Sequence, residues 1–335
     1  MANPAGNARG RAGTGGTGMS GGWRIVVLAV VLVVALVSLD ALVLAVARPT
    51  ANGHHYYLAL GNSITFGFQP DFNFTAGFVD NVFAELDQSG VTDEVNYGCG
   101  GETTTTMISG GCLGHLIHHN AYSGPQLDAA VSFLRAHPGR VSPITLEIGA
   151  NDLLPDWNNA TCSVGSSFQS DVTTMDDNIT KVIVPRILDA LKYPGAQAAG
   201  DLVMLNYYDP FIRDCPSSLD FVHTFNAHLA ADAAMFRIPV VDVFTAFGGD
   251  TGMAKNICQY TWICSVQFHD FHPTTEGYKV IAGAVETTLS YPGAKAPPAA
   301  LPMGAAAPRL TWGAPPSALV PREAARVPDL VRPRG

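Results

Sequence analysis

The chain has 335 residues, 47% of them hydrophobic and only 14% charged, with a formal net charge of −9. It can therefore bury a substantial core. The acidity lies in the middle, and the six basic residues after Gly293 face only Glu323 and Asp329, a balance that excludes nucleic acid as a partner.

Residues 1–24 are rich in Gly, Ala and Thr, carry Arg9, Arg11 and Arg24 without an acid, and read as a flexible basic leader. Residues 25–47 are almost wholly apolar, interrupted by Ser38 and Asp40. A basic flank followed by an apolar run is the charge order of an export signal. Ala45-Val46-Ala47 offers a small-residue cleavage site, whereas the uncleaved stretch is long enough to span a bilayer. Signal peptide and signal anchor both stand, the second anchoring the chain in a membrane. Either implies a secreted or membrane-anchored, extracytoplasmic protein. Residues 48–55 form a polar linker, residues 56–292 the folded domain, and the Ala/Pro-rich residues 293–335 a disordered tail.

Within the domain, Tyr56 to Leu60 reads as a strand that stops at the small-residue turn Gly61-Asn62-Ser63. Apolar residues at helical spacing follow through Phe78, Val82, Phe83 and Leu86, and Val91 to Tyr97 is a second strand ending in a glycine-rich turn. Gln126 to Ala136 is a helix closed by His137-Pro138-Gly139, and Pro143 to Ile148 a strand that runs into Gly149-Ala150-Asn151-Asp152. A long helix over Phe168 to Leu191 is expected to kink at Pro185. A strand at Asp201 to Tyr207, a helix at Leu219 to Met235, a strand at Pro239 to Val243 and a closing helix at Thr274 to Leu289 complete the pattern. Five short apolar runs alternating with helices make an α/β fold around a parallel sheet covered on both faces.

Six cysteines, Cys99, Cys112, Cys162, Cys215, Cys258 and Cys264, are an even set that an exported chain is free to oxidise into three disulfides. Of the fifteen connectivities, sequential pairing is expected, because each bridge then pins a loop beside a candidate site segment. No C-x-x-C pair supports zinc. His115, His118 and His119 lack a carboxylate or cysteine partner at ligand spacing and read as surface or packing residues.

The chemistry gathers at three strand ends and at the entry to the last helix. Ser63 stands where open α/β folds place their ligands. Attack by a serine on an ester needs a base and donors aimed at the developing oxyanion. His272, pinned before a helix by Pro273, is the candidate base. The backbone N–H groups of Ser63 and Gly101 and the side-chain amide of Asn151 are the candidate oxyanion donors, glycine sparing the substrate a Cβ and asparagine donating without a titratable charge.

The blocks Gly61-Asn62-Ser63-Ile64, Asn96-x-Gly98-x-x-Gly101-x-Thr103, Gly149-Ala150-Asn151-Asp152 and His272-Pro273 resemble the SGNH/GDSL hydrolases, in particular their secreted, disulfide-bearing bacterial esterase/lipase branch. The resemblance covers roughly residues 56 to 292. It implies a three-layer α/β/α sandwich with a five-stranded parallel flavodoxin-like sheet, and hydrolysis of carboxylic esters through an acyl-enzyme with neither metal nor organic cofactor. Two positions depart from the family pattern. Asn62 stands where the family has Asp, and His269 where it has an Asp three residues before the histidine. Asp270, two residues before His272, is one candidate to orient the imidazole, and a main-chain carbonyl is the other.

The expected substrate is a small-molecule, lipid or acylated-carbohydrate ester. The alternatives are a polysaccharide O-acyl esterase or transferase, and a binding or cell-surface protein that keeps the scaffold with impaired turnover. Asp152 is expected to cap a turn, and Glu147, in an apolar strand, needs a partner if buried. Phe68, Phe72, Phe74, Trp157 and Trp262 offer apolar walls, although aromatics in loops more often pack locally.

Overall fold

The computed structural model describes residues 55–87, 90–114, 117–192 and 202–289. The leader, the apolar segment 25–47, most of the linker and the tail lie outside the described residues. No helix among the described residues is long and apolar enough to cross a membrane.

The sheet begins with β1 (Tyr56–Gly61), whose side chains from Tyr57 to Leu60 are fully buried. Burial on both faces explains why this strand is a continuous apolar run instead of an alternating one. A four-residue helix, α1 (Ser63–Phe66), starts at the serine itself, where the sequence pattern showed only a turn. Then come α2 (Phe78–Asp87), β2 (Asp93–Asn96), α3 (Thr104–Ser109), α4 (Gln126–Ala136) and β3 (Val141–Glu147). All seven residues of β3 are buried.

Past β3 lie α5 (Ala150–Leu153) and a two-stranded antiparallel ribbon of β4 (Trp157–Asn158) and β5 (Ser163–Val164). The long helix expected over 168–191 is divided into α6 (Phe168–Asn178), a π turn (Ile179–Ile183) and α7 (Val184–Ala190). Pro185 has no N–H to donate and its ring crowds the preceding turn. The helix accommodates it by widening, so that Val184 N–H reaches back to Ile179 O. The remainder comprises β6 (Leu202–Leu205), α8 (Ser218–Met235), β7 (Val240–Val241), α9 (Val243–Ala246), α10 (Gly249–Tyr260) and α11 (Thr275–Leu289).

The sheet has the order β2-β1-β3-β6-β7, with every pairing parallel. Counting only its own strands, this is the 2-1-3-4-5 order of the flavodoxin-like fold, whose strand order reverses between the first strand and the third. α2 packs on α11, while α4 packs on α7 and α6 on α8, giving helical layers to either side and the expected three-layer α/β/α sandwich. Ser63 follows β1 and Asn151 follows β3, so both stand at the carboxyl edge beside the reversal. The interior is a single cluster running from Leu58 and Leu60 through Ile144 and Leu146 to Ile281 and Val285.

Candidate active site

The serine turn is held from below by a buried polar network. Gly61 has φ +148°, and a Cβ there would lie 2.1 Å from the Glu147 carbonyl oxygen; only glycine lets the two strand exits stay this close. Asn62 caps α1 by accepting from Ile64 N–H at 2.8 Å. Its amide donates to Glu147 Oε1 at 2.8 Å and to the Tyr207 hydroxyl at 3.2 Å. Thr65 donates to Glu147 Oε2 at 3.2 Å, so the buried Glu147 has the partners it needed. Burial pushes its carboxyl up to about 7, against the opposing pull of hydrogen bonds from Tyr207, Thr65 and Asn62. An aspartate at 62 would set a second carboxylate against this one, which gives the asparagine a physical reason.

Gln126 completes the network. Its Oε1 accepts from Gly61 N–H at 2.7 Å, and its Nε2 donates to Gly61 O at 2.9 Å and to Glu102 Oε2 at 3.0 Å. Burial pushes the Glu102 carboxyl up to about 7 as well.

His272 meets this turn from the other side. Its Nε2 lies 2.7 Å from Ser63 Oγ, and its Nδ1 lies 2.7 Å from Asp270 Oδ1. A carboxylate only accepts, so Nδ1 carries the proton of the neutral ring and Nε2 presents its lone pair to the serine hydroxyl. Burial raises the Asp270 carboxyl, but the hydrogen bond and charge of His272 outweigh it and leave Asp270 below the usual range. Asp270 Oδ1 also accepts from His272 N–H at 2.8 Å. This is the turn that an Asx side chain makes with the backbone two residues on, and it explains how a spacing of two serves here. His269, at the family's aspartate position, is exposed and takes φ +45°; it turns the chain. The His272 ring packs against Phe68 and Phe271, each with its centroid 4.6 Å away, and Tyr208 anchors the loop by donating to Phe271 O at 2.8 Å.

The remaining expected donors occupy adjacent strand exits. Gly101, at φ +76°, follows β2, in a left-handed conformation that favours glycine. Asn151 Nδ2 donates to Glu102 O at 2.9 Å, which fixes the amide while leaving its second N–H to point elsewhere. Asp152 accepts from Thr104 N–H at 2.9 Å and Thr104 Oγ1 at 2.5 Å, tying the Asn151 turn to the start of α3. This is the capping part expected of it.

Disulfides join Cys99 to Cys112, Cys162 to Cys215 and Cys258 to Cys264, the sequential pairing. The first closes the loop carrying Gly101, the second ties the β4–β5 ribbon to the segment after Phe211, and the third pins the turn preceding the histidine loop. Of the clustered histidines, His119 donates to Phe66 O at 2.8 Å and His118 packs on Tyr122, while His115 lies outside the described residues.

Next to Ser63 and Asn151 opens a cleft whose walls include Leu153, Phe211, Phe221, Phe225 and Phe271. The loop aromatics Phe68, Phe72, Phe74, Trp157 and Trp262 are not among these walls and pack locally, the commoner outcome for such residues. Phe68 and Phe74 pack on each other, Trp262 packs on Phe268, and Trp157 backs the wall through Phe211 and Phe221. Gln126, Glu102, Tyr207 and the lining of α8 were not recognised from sequence. The only available signal was polar side chains at positions that the periodicity buries.

The family model described as GDSL-like Lipase/Acylhydrolase matches residues 59–280. No curated protein matches the chain. Among solved structures it is similar to Axe2, an acetylxylan esterase from Geobacillus stearothermophilus, at 14% identity over 73% of this chain and 98% of that one, with a TM-score of 0.47. It is similar to LAE5, an alpha/beta hydrolase enzyme from the metagenome of Lake Arreo, Spain, at 17% identity over 72% and 98%, with a TM-score of 0.45. The lipase Lip_vut3 from a goat rumen metagenome is similar at 18% identity over 70% and 97%, with a TM-score of 0.47.

Proposed function

The chain belongs to the GDSL-like lipase/acylhydrolase family, and from that premise we propose that it hydrolyses carboxylic esters through an acyl-enzyme formed on Ser63. The observation that carries this is the pair of 2.7 Å contacts linking Ser63 Oγ to His272 Nε2 and His272 Nδ1 to Asp270 Oδ1.

Ser63 Oγ attacks the ester carbonyl carbon as its proton passes to His272 Nε2, and Asp270 stabilises the imidazolium and holds the ring's orientation. The carbonyl oxygen becomes negative within reach of the N–H groups of Ser63 and Gly101 and the Asn151 amide. Collapse breaks the bond to the alcohol oxygen, which leaves with the proton from His272. Water then attacks the acyl-enzyme with His272 again as base, releasing the acid and restoring the serine hydroxyl.

The departures that motivated a scaffold without turnover both have partners here: Asn62 is matched to Glu147, and Asp270 reaches the imidazole without an aspartate at 269. Export belongs to the same proposal. Three disulfides suit an oxidising compartment, and residues 25–47 supply the apolar segment.

The test is release of p-nitrophenol from a short-chain ester by the purified domain and by Ser63→Ala, with mass-spectrometric detection of a fluorophosphonate adduct. Activity and adduct formation that both disappear in Ser63→Ala are expected. A folded protein with neither activity nor adduct would return the chain to the binding reading.

A further inference from the structure

The cleft beside Ser63 is walled mostly by apolar side chains, and no charged residue lines it. Ser63 and Asn151 bring polar groups to it, while the hydroxyls of its Tyr207 and Tyr208 are engaged by Asn62 and by Phe271 O. The rest is closed by Leu153 of α5, by Phe211, by Phe221 and Val222 of α8, and by Phe271. Such a surface takes a hydrocarbon group and rejects a sugar or an ion, which would have to give up water for no hydrogen bond.

Its size sets a limit. The cleft holds about 540 Å³ of empty space with its solvent-open part included, but it is narrow, and the centre of a water molecule can reach only about 40 Å³ of it. A slot this narrow is filled by a short run of methyl and methylene groups.

Its direction follows from the proton transfers. The leaving alcohol must take its proton from His272, so it lies on the histidine side of the carbonyl. His272 is not among the walls of the slot, which leaves the acyl side to enter it.

The walls are also braced. Trp157 stacks on Phe211 with centroids 6.0 Å apart and lies 5.4 Å from Phe221. The Cys162–Cys215 bridge ties the ribbon that carries Trp157 to the segment that carries Phe211. A longer chain therefore meets a cross-linked wall and not an adaptable one.

We infer that this slot is an acyl site for chains of two to four carbons, with Phe221 and Val222 setting the length; the inference rests on the ester hydrolase reading above. The experiment is kcat/KM for p-nitrophenyl acetate, butyrate, hexanoate and octanoate with the unaltered protein, Ser63→Ala, Phe221→Ala and Val222→Ala. The second pocket variant removes less side chain, in case Phe221→Ala does not fold. The unaltered protein is expected to peak at acetate or butyrate and to fall by about tenfold or more at octanoate, and either folded pocket variant to raise the hexanoate-to-acetate ratio by about tenfold. A maximum at hexanoate or octanoate, or a ratio unmoved in every folded pocket variant, overturns the acyl-site assignment while Ser63-dependent turnover keeps the hydrolase. Absence of Ser63-dependent release from all four esters, together with absence of a fluorophosphonate adduct, overturns the hydrolase reading and the slot assignment with it.

Discussion

The serine turn and the histidine loop meet at 2.7 Å, yet they are held in place by different means. Ser63 inherits its position from the centre of the sheet. Asn62, Thr65, Gln126 and Glu147 are all 0–1% exposed and hydrogen-bond between β1, α1, α4 and β3. His272 is placed mainly by its own loop, through Asp270, Phe271 and the turn at Trp262, which accepts from Asp270 N–H at 3.2 Å and donates to His272 O at 3.1 Å, with Phe68 against its ring and Tyr208 holding Phe271 O. Val266 in the same loop is wholly exposed. The nucleophile is thus a property of the fold, whereas the base depends on its own loop and the few side chains that touch it. Damage to the first should appear as lost stability and damage to the second as lost rate.

The largest break is expected on the histidine side. Asp270→Asn can present an amide N–H to His272 Nδ1, driving the ring proton to Nε2, where it blocks transfer from Ser63. A fall in kcat of about 10⁴-fold is expected with the melting temperature nearly unchanged. A fall under about tenfold would show that a main-chain carbonyl orients the ring instead. Asn151→Ala comes next, with kcat reduced by about 10²–10³-fold and KM nearly constant. A raised KM at constant kcat would make Asn151 a ground-state contact and remove it from the oxyanion donors.

The same contrast decides what could be read from the residues. The serine, glycine and asparagine blocks are legible because each is a strand exit at which backbone geometry selects the residue, as the close approach of Gly61 to Glu147 shows. The network beneath them is not legible, because its ties to the serine turn run between residues 65 to 145 positions apart, such as Gln126 with Gly61 and Tyr207 with Asn62. Periodicity predicts that such positions are buried but not what they bond. The helices α9 and α10 are not legible for a different reason: β7 is only two residues long, and Gly248, Gly249 and Gly252 interrupt the helical pattern. The spacing of Asp270 from His272 does not by itself assign a partner to the imidazole; the left-handed turn at His269 and the Asx turn of Asp270 bring the two together.

A smaller effect, of roughly 3 kcal/mol at most, isolates the serine side. Glu147 is raised from 4.5 to about 7 by burial, so the folded state holds its proton more tightly than the unfolded chain does. The stabilisation from that proton is complete below about pH 4.5 and is lost as pH rises towards and through 7, by roughly 3 kcal/mol in total. Glu147→Gln keeps a carbonyl for the Asn62 amide and cannot ionise, so urea midpoints measured across this window should fall less steeply than in the unaltered protein. Glu94, Glu102 and Asp232 are also raised to about 7 and remain in both proteins, so the difference between the two curves reports Glu147 alone. Asn62→Asp should act in the opposite direction, steepening the curve by placing a second carboxylate against the first, and Glu147→Gln in the same chain should relieve it. Parallel curves for all the variants would mean that Glu147 is already solvated, and the serine turn would then owe its position to backbone contacts alone.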